Sequence, residues 1–162
     1  MKHLILVRHG KSSWEYAVND IDRPLKERGI NDAFLVSNVL NEQNIEIDFS
    51  FSSPANRALH TAMIFLRQLN YDFYKFQVTS DLYDFSGESA ISFIKNLDDK
   101  LNTILVFGHN YAFTHIANSL GNTYIDNVPT SGLVHLCFNQ DSWSSITKGV
   151  TKQVLFPKQL RV

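Results

Sequence analysis

Apolar residues along this chain form two kinds of run, and the kinds alternate. Unbroken apolar segments of strand length occur at residues 3–7, with Leu4-Ile5-Leu6-Val7, and at residues 103–107, Thr-Ile-Leu-Val-Phe. The first stops at Arg8-His9-Gly10 and the second at Gly108-His109-Asn110. A strand that is apolar on both faces belongs in the middle of a parallel sheet, covered by helices on either side. Phe49 and Phe51 mark a further strand that stops at Ser52-Ser53-Pro54, and Phe76 and Val78 mark a short one. Between the strands the period changes to that of a helix. One helix is expected over residues 25–42, with Ile30, Ala33, Phe34 and Leu40 near one face. A second is expected from Pro54, whose missing N–H would be unpaired in a first turn anyway. It carries Leu59, Ala62, Met63, Leu66 and Leu69 as its stripe. Residues 87–101 read as a third, with Ile91, Ile94, Leu97 and Leu101 on one side, and 112–120 as a fourth that ends at Gly121. Two late strands, Leu133 to Phe138 and Trp143 to Thr147, are expected to pair antiparallel through a tight turn.

Strands alternating with helices give an α/β class: a mostly parallel sheet with an antiparallel edge and helices layered against it. The 162 residues suit one domain, 1–162. A chain of that size buries roughly 68–70% of its unfolded surface without staples. The single Cys137 rules out an internal disulfide and fits a reducing compartment. The first apolar run is shorter than a signal peptide or a membrane span, so the cytoplasm is the expected location. A net charge of −1 gives no basic field for nucleic acid or an anionic membrane. An anion site would have to be built locally.

The strand ends are where such a site is expected, because ligands of open α/β sheets bind beyond the carboxyl ends of the strands. If the two central strands are parallel, His9 and His109 emerge at the same edge. Arg8 precedes His9, and Arg57 lies in the first turn of the helix after Ser52-Ser53-Pro54. A cation there opposes the helix dipole by about 0.3–1 kcal/mol, unless an anion sits between them. Guanidinium forks match phosphate oxygens in pairs. Two arginines and two histidines thus outline a metal-free pocket for a phosphoryl dianion. Neutral imidazole is nucleophilic, and neighbouring cations disfavour its protonation. His9 is therefore the candidate nucleophile, with Arg8, Arg57 and His109 stabilising charge on the transferred group. Ser12 and Asn110 are candidates for further substrate contacts.

These residues resemble the histidine phosphatase superfamily, which includes the cofactor-dependent phosphoglycerate mutases. The resemblance lies in Leu6-Val7-Arg8-His9-Gly10-Lys11-Ser12, in Ser52-Ser53-Pro54 with Arg57-Ala58 and Thr61-Ala62, and in Gly108-His109-Asn110. Lys11-Ser12-Ser13-Trp14, Asp22-Arg23-Pro24-Leu25 with Arg28-Gly29, Pro129-Thr130-Ser131-Gly132, and Pro157-Lys158 with Leu160-Arg161 look like its short, SixA-like phosphohistidine phosphatase branch. The resemblance implies a three-layer α/β/α sandwich of phosphoglycerate mutase type. It also implies phosphorylation of His9, phosphate binding by Arg8, Arg57 and His109, and no metal or organic cofactor. The implied partner is a phosphorylated protein, such as a phosphorelay histidine domain, or a small phosphorylated metabolite. Where many members carry a glutamate as proton donor, this chain has Asp81-Leu82-Tyr83-Asp84. Asp84 is the candidate acid, with Asp81 and Glu88 behind it.

Other phosphatase chemistries fit poorly. A cysteine phosphatase places arginine six residues after its cysteine, but residue 143 is Trp. Asp20-Ile21-Asp22 follows a polar loop rather than a buried strand and reads as loop capping. No GxxxxGK phosphate loop is present. His60, His115 and His135 show no metal-ligand spacing and read as structural. Two further readings stay open: phosphoryl transfer of mutase type, and a phosphate- or phosphoprotein-binding module with little turnover.

Overall fold

The computed structural model describes residues 1–161. Its elements in chain order are β1 (Lys2–Arg8), α1 (Glu27–Glu42), β2 (Phe49–Ser52), α2 (Asn56–Gln68), β3 (Phe76–Val78) and α3 (Glu88–Lys95), followed by β4 (Thr103–Gly108), α4 (Ala112–Leu120), β5 (Leu133–Phe138), β6 (Val150–Leu155) and the short α5 (Pro157–Leu160). The strands form one sheet in the order β3-β2-β4-β1-β5-β6. β3, β2, β4 and β1 run parallel, while β5 and β6 add the antiparallel edge. The two most apolar strands lie side by side at the centre, as their uniform burial requires.

Alternation along these strands separates two apolar layers. Leu4, Leu6, Ile104 and Val106 pack with Ile94 of α3 and with Phe113 and Ile116 of α4. Ile5, Val7, Leu105 and Phe107 pack with Val36 and Leu40 of α1 and with Ala62 and Phe65 of α2. The result is a three-layer α/β/α sandwich. No described helix is long and apolar enough to cross a membrane.

Several boundaries differ from the sequence pattern for local reasons. α1 starts at Glu27, and Phe34 faces solvent rather than the core. α2 starts at Asn56, two residues after Pro54. Ala62 and Leu66 of the expected stripe are buried, but the face is rotated to take in Ala58, Thr61 and Phe65, while Leu59, Met63 and Leu69 are only half-buried. That rotation also buries Arg57. α3 stops at Lys95, because the Asp98 carboxylate accepts the Lys100 amide at 2.9 Å and turns the chain. Trp143–Ser145 is one turn of 3-10 helix and not a strand. Trp143 and Ile146, three residues apart, are both buried, and the Trp143 indole donates to Leu101 O at 2.7 Å. The last strand is β6, which reaches β5 through residues 139–149 instead of a tight turn.

Candidate functional site

Register fixes where the strand ends meet. Arg8 lies opposite Gly108, and Ser52 opposite Phe107. Beyond the ladder, the His9 amide donates to Gly108 O at 3.0 Å and the Ser53 amide to Phe107 O at 3.0 Å. His9, His109 and Ser53 therefore leave the sheet at one edge, and the two imidazole centroids are 5.3 Å apart.

The His9 loop is held from three directions. Its Nδ1 is 2.7 Å from Gly10 O. A carbonyl only accepts, so Nδ1 carries the ring proton and Nε2 keeps the lone pair. The Gly10 amide donates to Thr61 Oγ1 at 2.9 Å, and that hydroxyl donates to Arg57 O at 2.7 Å, tying the loop to α2. From the other side, the Ser131 amide donates to Arg8 O at 3.1 Å and to His9 O at 3.0 Å. Ser131 has φ 60°, in the left-handed region. α1 touches the loop through glycine. A Cβ on Gly29 would strike the Lys11 carbonyl oxygen and come within 2.8 Å of its amide nitrogen.

The charged groups gather around this loop. Arg57 is 2% exposed and His109 fully buried. His109 Nε2 meets Ser53 Oγ at 2.8 Å, which leaves Nδ1 on the side of Arg57, 3.5 Å from a guanidinium nitrogen. Arg8 donates to Val128 O at 2.8 Å. The Nε–H groups of Arg8 and Arg57 are buried without a partner among the described residues. Burial and then the neighbouring Arg57 charge push the pKa of Arg8 down. Burial lowers His9 to about 3, with His109, Arg57 and Arg8 adding to it against the bond to Gly10. Burial and then Arg57 lower His109 to about 3 as well. Both rings are neutral at ordinary pH, and two guanidinium groups lie beside them. The arrangement offers positive charge next to an unprotonated ring nitrogen.

The structure brings Arg8, His9, Arg57 and His109 together and gives the remaining candidates other partners. Asp84 closes the N-terminus of α3: Oδ1 accepts from the Ser86 amide and hydroxyl, and Oδ2 from the Gly87 and Ala90 amides. Partial burial opposes its charge, but the bonds from Ala90, Ser86 and Gly87 outweigh it and hold the pKa below its ordinary value. A carboxylate so held is disfavoured as a proton donor, and its bonds are those of a helix cap. Asp81 is exposed in a turn, where it accepts the Thr79 hydroxyl at 3.3 Å, and Glu88 is exposed in the first turn of α3. Ser12 Oγ accepts from Arg23 at 2.7 Å. The Asn110 side chain donates to Asn127 Oδ1 at 2.7 Å and accepts from the Thr114 hydroxyl at 2.7 Å. Thr114 in turn receives the Val128 amide, so Asn110 braces the segment whose carbonyl holds Arg8.

Sequence reasoning passed over Ser53, Thr61 and Ser131 as supports of the site, and read Asp20 as a loop cap. The Asp20 carboxylate lies on Arg57 NH2 at 3.0 Å and receives the Tyr83 hydroxyl. The signal available for it was the unpaired cation at the start of α2, which demands an anion from somewhere.

Comparison with known proteins agrees with this geometry. Residues 4–89 match the model of the histidine phosphatase superfamily, branch 1. Over 71 residues the chain is 41% identical to a 2,3-bisphosphoglycerate-dependent phosphoglycerate mutase of Gloeothece citriformis. That stretch is 42% of this chain and 30% of the mutase, so the chain covers less than a third of this relative's length. Among solved structures, the protein histidine phosphatase SixA complexed with tungstate superposes with a TM-score of 0.83 at 22% identity, covering 98% of this chain and 99% of that one. An ecdysone phosphate phosphatase from Bombix mori, also with tungstate, gives 0.66 at 16% identity over 85% of this chain and 89% of its own. At these identities the structural matches establish the fold.

Proposed function

From the premise that the chain belongs to the histidine phosphatase superfamily, we propose that it is a phosphatase that passes the phosphoryl group through His9. The observation that carries the reading is the lone pair on His9 Nε2, buried and neutral beside Arg57, Arg8 and His109. In the first step Nε2 attacks phosphorus, a P–N bond forms, and the bond to the leaving group breaks with its electron pair. The Nδ1 proton stays on the ring, donated to Gly10 O, and the positive charge of the phosphorylated ring spreads over both nitrogens. In the second step water attacks phosphorus, the P–N bond breaks, its electrons return to Nε2, and inorganic phosphate leaves. Arg8, Arg57 and His109 stabilise the equatorial oxygens in both steps.

The leaving group decides the substrate class. An alkoxide leaves poorly without an acid, a loss of ~10²–10⁴-fold in rate. Asp84, the candidate acid, is committed to capping α3, where it accepts the Ala90 amide. An imidazole protonated on its distal nitrogen leaves without that help. This supports phosphohistidine on a protein as the preferred substrate, with phosphomonoesters as slower ones. The mutase match supports a second reading, transfer to a sugar-phosphate acceptor. The test compares turnover of a phosphohistidine protein, a phosphotyrosine surrogate and a panel of sugar phosphates. His9→Ala is expected to abolish turnover and acid-labile labelling, and persistence of both would overturn the reading. Label passed to a sugar phosphate rather than to water would favour the mutase reading.

A further inference from the structure

The seat that a phosphoryl group needs is already filled by one of the protein's own carboxylates. One terminal nitrogen of Arg57 donates to Asp20 O at 2.6 Å and the other to Asp20 Oδ2 at 3.0 Å. The fork thus holds one carboxylate oxygen and one backbone carbonyl oxygen, where a phosphate would offer it two anionic oxygens. Tyr83 donates its hydroxyl to the same Oδ2, and Arg23 Nε reaches Oδ1 at 3.3 Å. Asp20 thereby meets the demand for an anion at the first turn of α2. Its carbonyl also accepts the Arg23 amide at 3.3 Å in a short 3-10 turn, but its side chain is 45% exposed and residues 14–20 all face solvent. Asp20 also leaves the Nε–H groups of Arg8 and Arg57 unpaired.

We propose that Asp20 is an internal stand-in for the substrate's phosphoryl group, displaced from Arg57 when a phosphate binds. The proposal rests on Arg8, His9, Arg57 and His109 forming the phosphoryl pocket. Asp20 brings one negative charge and reaches Arg57 and Arg23. A phosphoryl dianion brings two charges and reaches Arg8, Arg57 and His109 together. The exchange favours the dianion, because its second charge and its reach to Arg8 and His109 outweigh the pair that the half-exposed Asp20 makes with the buried Arg57. It disfavours a carboxylate, which offers Arg57 no more than Asp20 already does. Asp20 thus sets the specificity of the pocket for dianionic phosphoryl groups. Displacement moves the segment on which Trp14 lies, and Trp14 stacks on Arg23 at 3.6 Å. The other tryptophan, Trp143, is fully buried beside Lys2 and Leu101 and does not sense that movement.

A site that is open only part of the time binds its ligand more weakly by that fraction. Titration of the whole protein with inorganic phosphate, followed by calorimetry and tryptophan fluorescence, tests the idea. Asp20→Asn is expected to bind phosphate about tenfold more tightly, to lose the phosphate-induced fluorescence change, and to lower KM more than it alters kcat. Tyr83→Phe removes only the hydroxyl that braces Asp20, so it is expected to shift affinity the same way by less. Trp14→Phe should silence the signal and leave phosphate affinity unchanged. Equal or weaker phosphate binding by Asp20→Asn would overturn the proposal alone. Failure of wild type and Asp20→Asn alike to bind phosphate would overturn the pocket reading, and the proposal with it.

Discussion

At the scale of single residues, the site depends on which atoms are already committed. His9 has one nitrogen tied to Gly10 O and one free, so its chemistry is set by a single hydrogen bond. Asp84 is the opposite case, with one oxygen held by Ser86 just before α3 and the other by Gly87 and Ala90 at its start. Asp84→Ala is accordingly expected to cost about 0.5–2 kcal/mol of stability, as the loss of a helix cap does. Turnover should fall far less than the ~10²–10⁴-fold that follows loss of a general acid. Urea unfolding and kcat measured on the same preparation separate the two roles. A fall of that size in kcat with unchanged stability would restore Asp84 as the acid.

At the scale of elements, the closest contact is between α1 and the His9 loop. Gly29 lies within the first turn of α1, where alanine would ordinarily favour the helix by about 1 kcal/mol. Here its absent Cβ makes room for the Lys11 backbone. Gly29→Ala is therefore expected to destabilise the protein by about 1–3 kcal/mol, the usual penalty of overpacking, and to lower kcat by moving His9. A thermal melt and single-turnover labelling of His9 check both effects. The same element shows what the sequence could and could not carry. Central strands β1 and β4 were legible because uniform burial leaves an unbroken apolar run, and their ends pointed to Arg8, His9 and His109. The inner face of α2 was legible only in part, through Ala62 and Leu66, because Arg57 and Thr61 also occupy it and interrupt the apolar stripe. β6 escaped notice as an edge strand with no buried residue, while Trp143 and Ile146 imitated a strand from within a turn. Asp20 gave no periodic signal because its role depends on a partner 37 residues away.

At the scale of the whole molecule, burial of neutral histidines couples folding to pH. Burial lowers His9 and His109 to about 3 and His135 to about 4, against about 6.5 in an unfolded chain. Between those values the unfolded chain binds more protons than the folded one, so stability is full above pH 6.5 and declines as pH falls toward 4. The slope is expected to reach about 1.4 kcal/mol per pH unit for each such histidine. Urea midpoints at pH 7.5 and 5.0 measure it, and equal midpoints would show that these rings protonate without unfolding the chain. The connectivity of the sheet has a different consequence, one of timing. Arg8 takes its carbonyl partner from Val128, 120 residues further on, and the Ser131 amide closes the His9 loop just beyond it. During synthesis His9 emerges long before β5 (Leu133–Phe138), the strand that frames it. A nascent polypeptide that already displays Arg8 and His9 thus still lacks the frame around them, which is complete only when β5 docks beside β1.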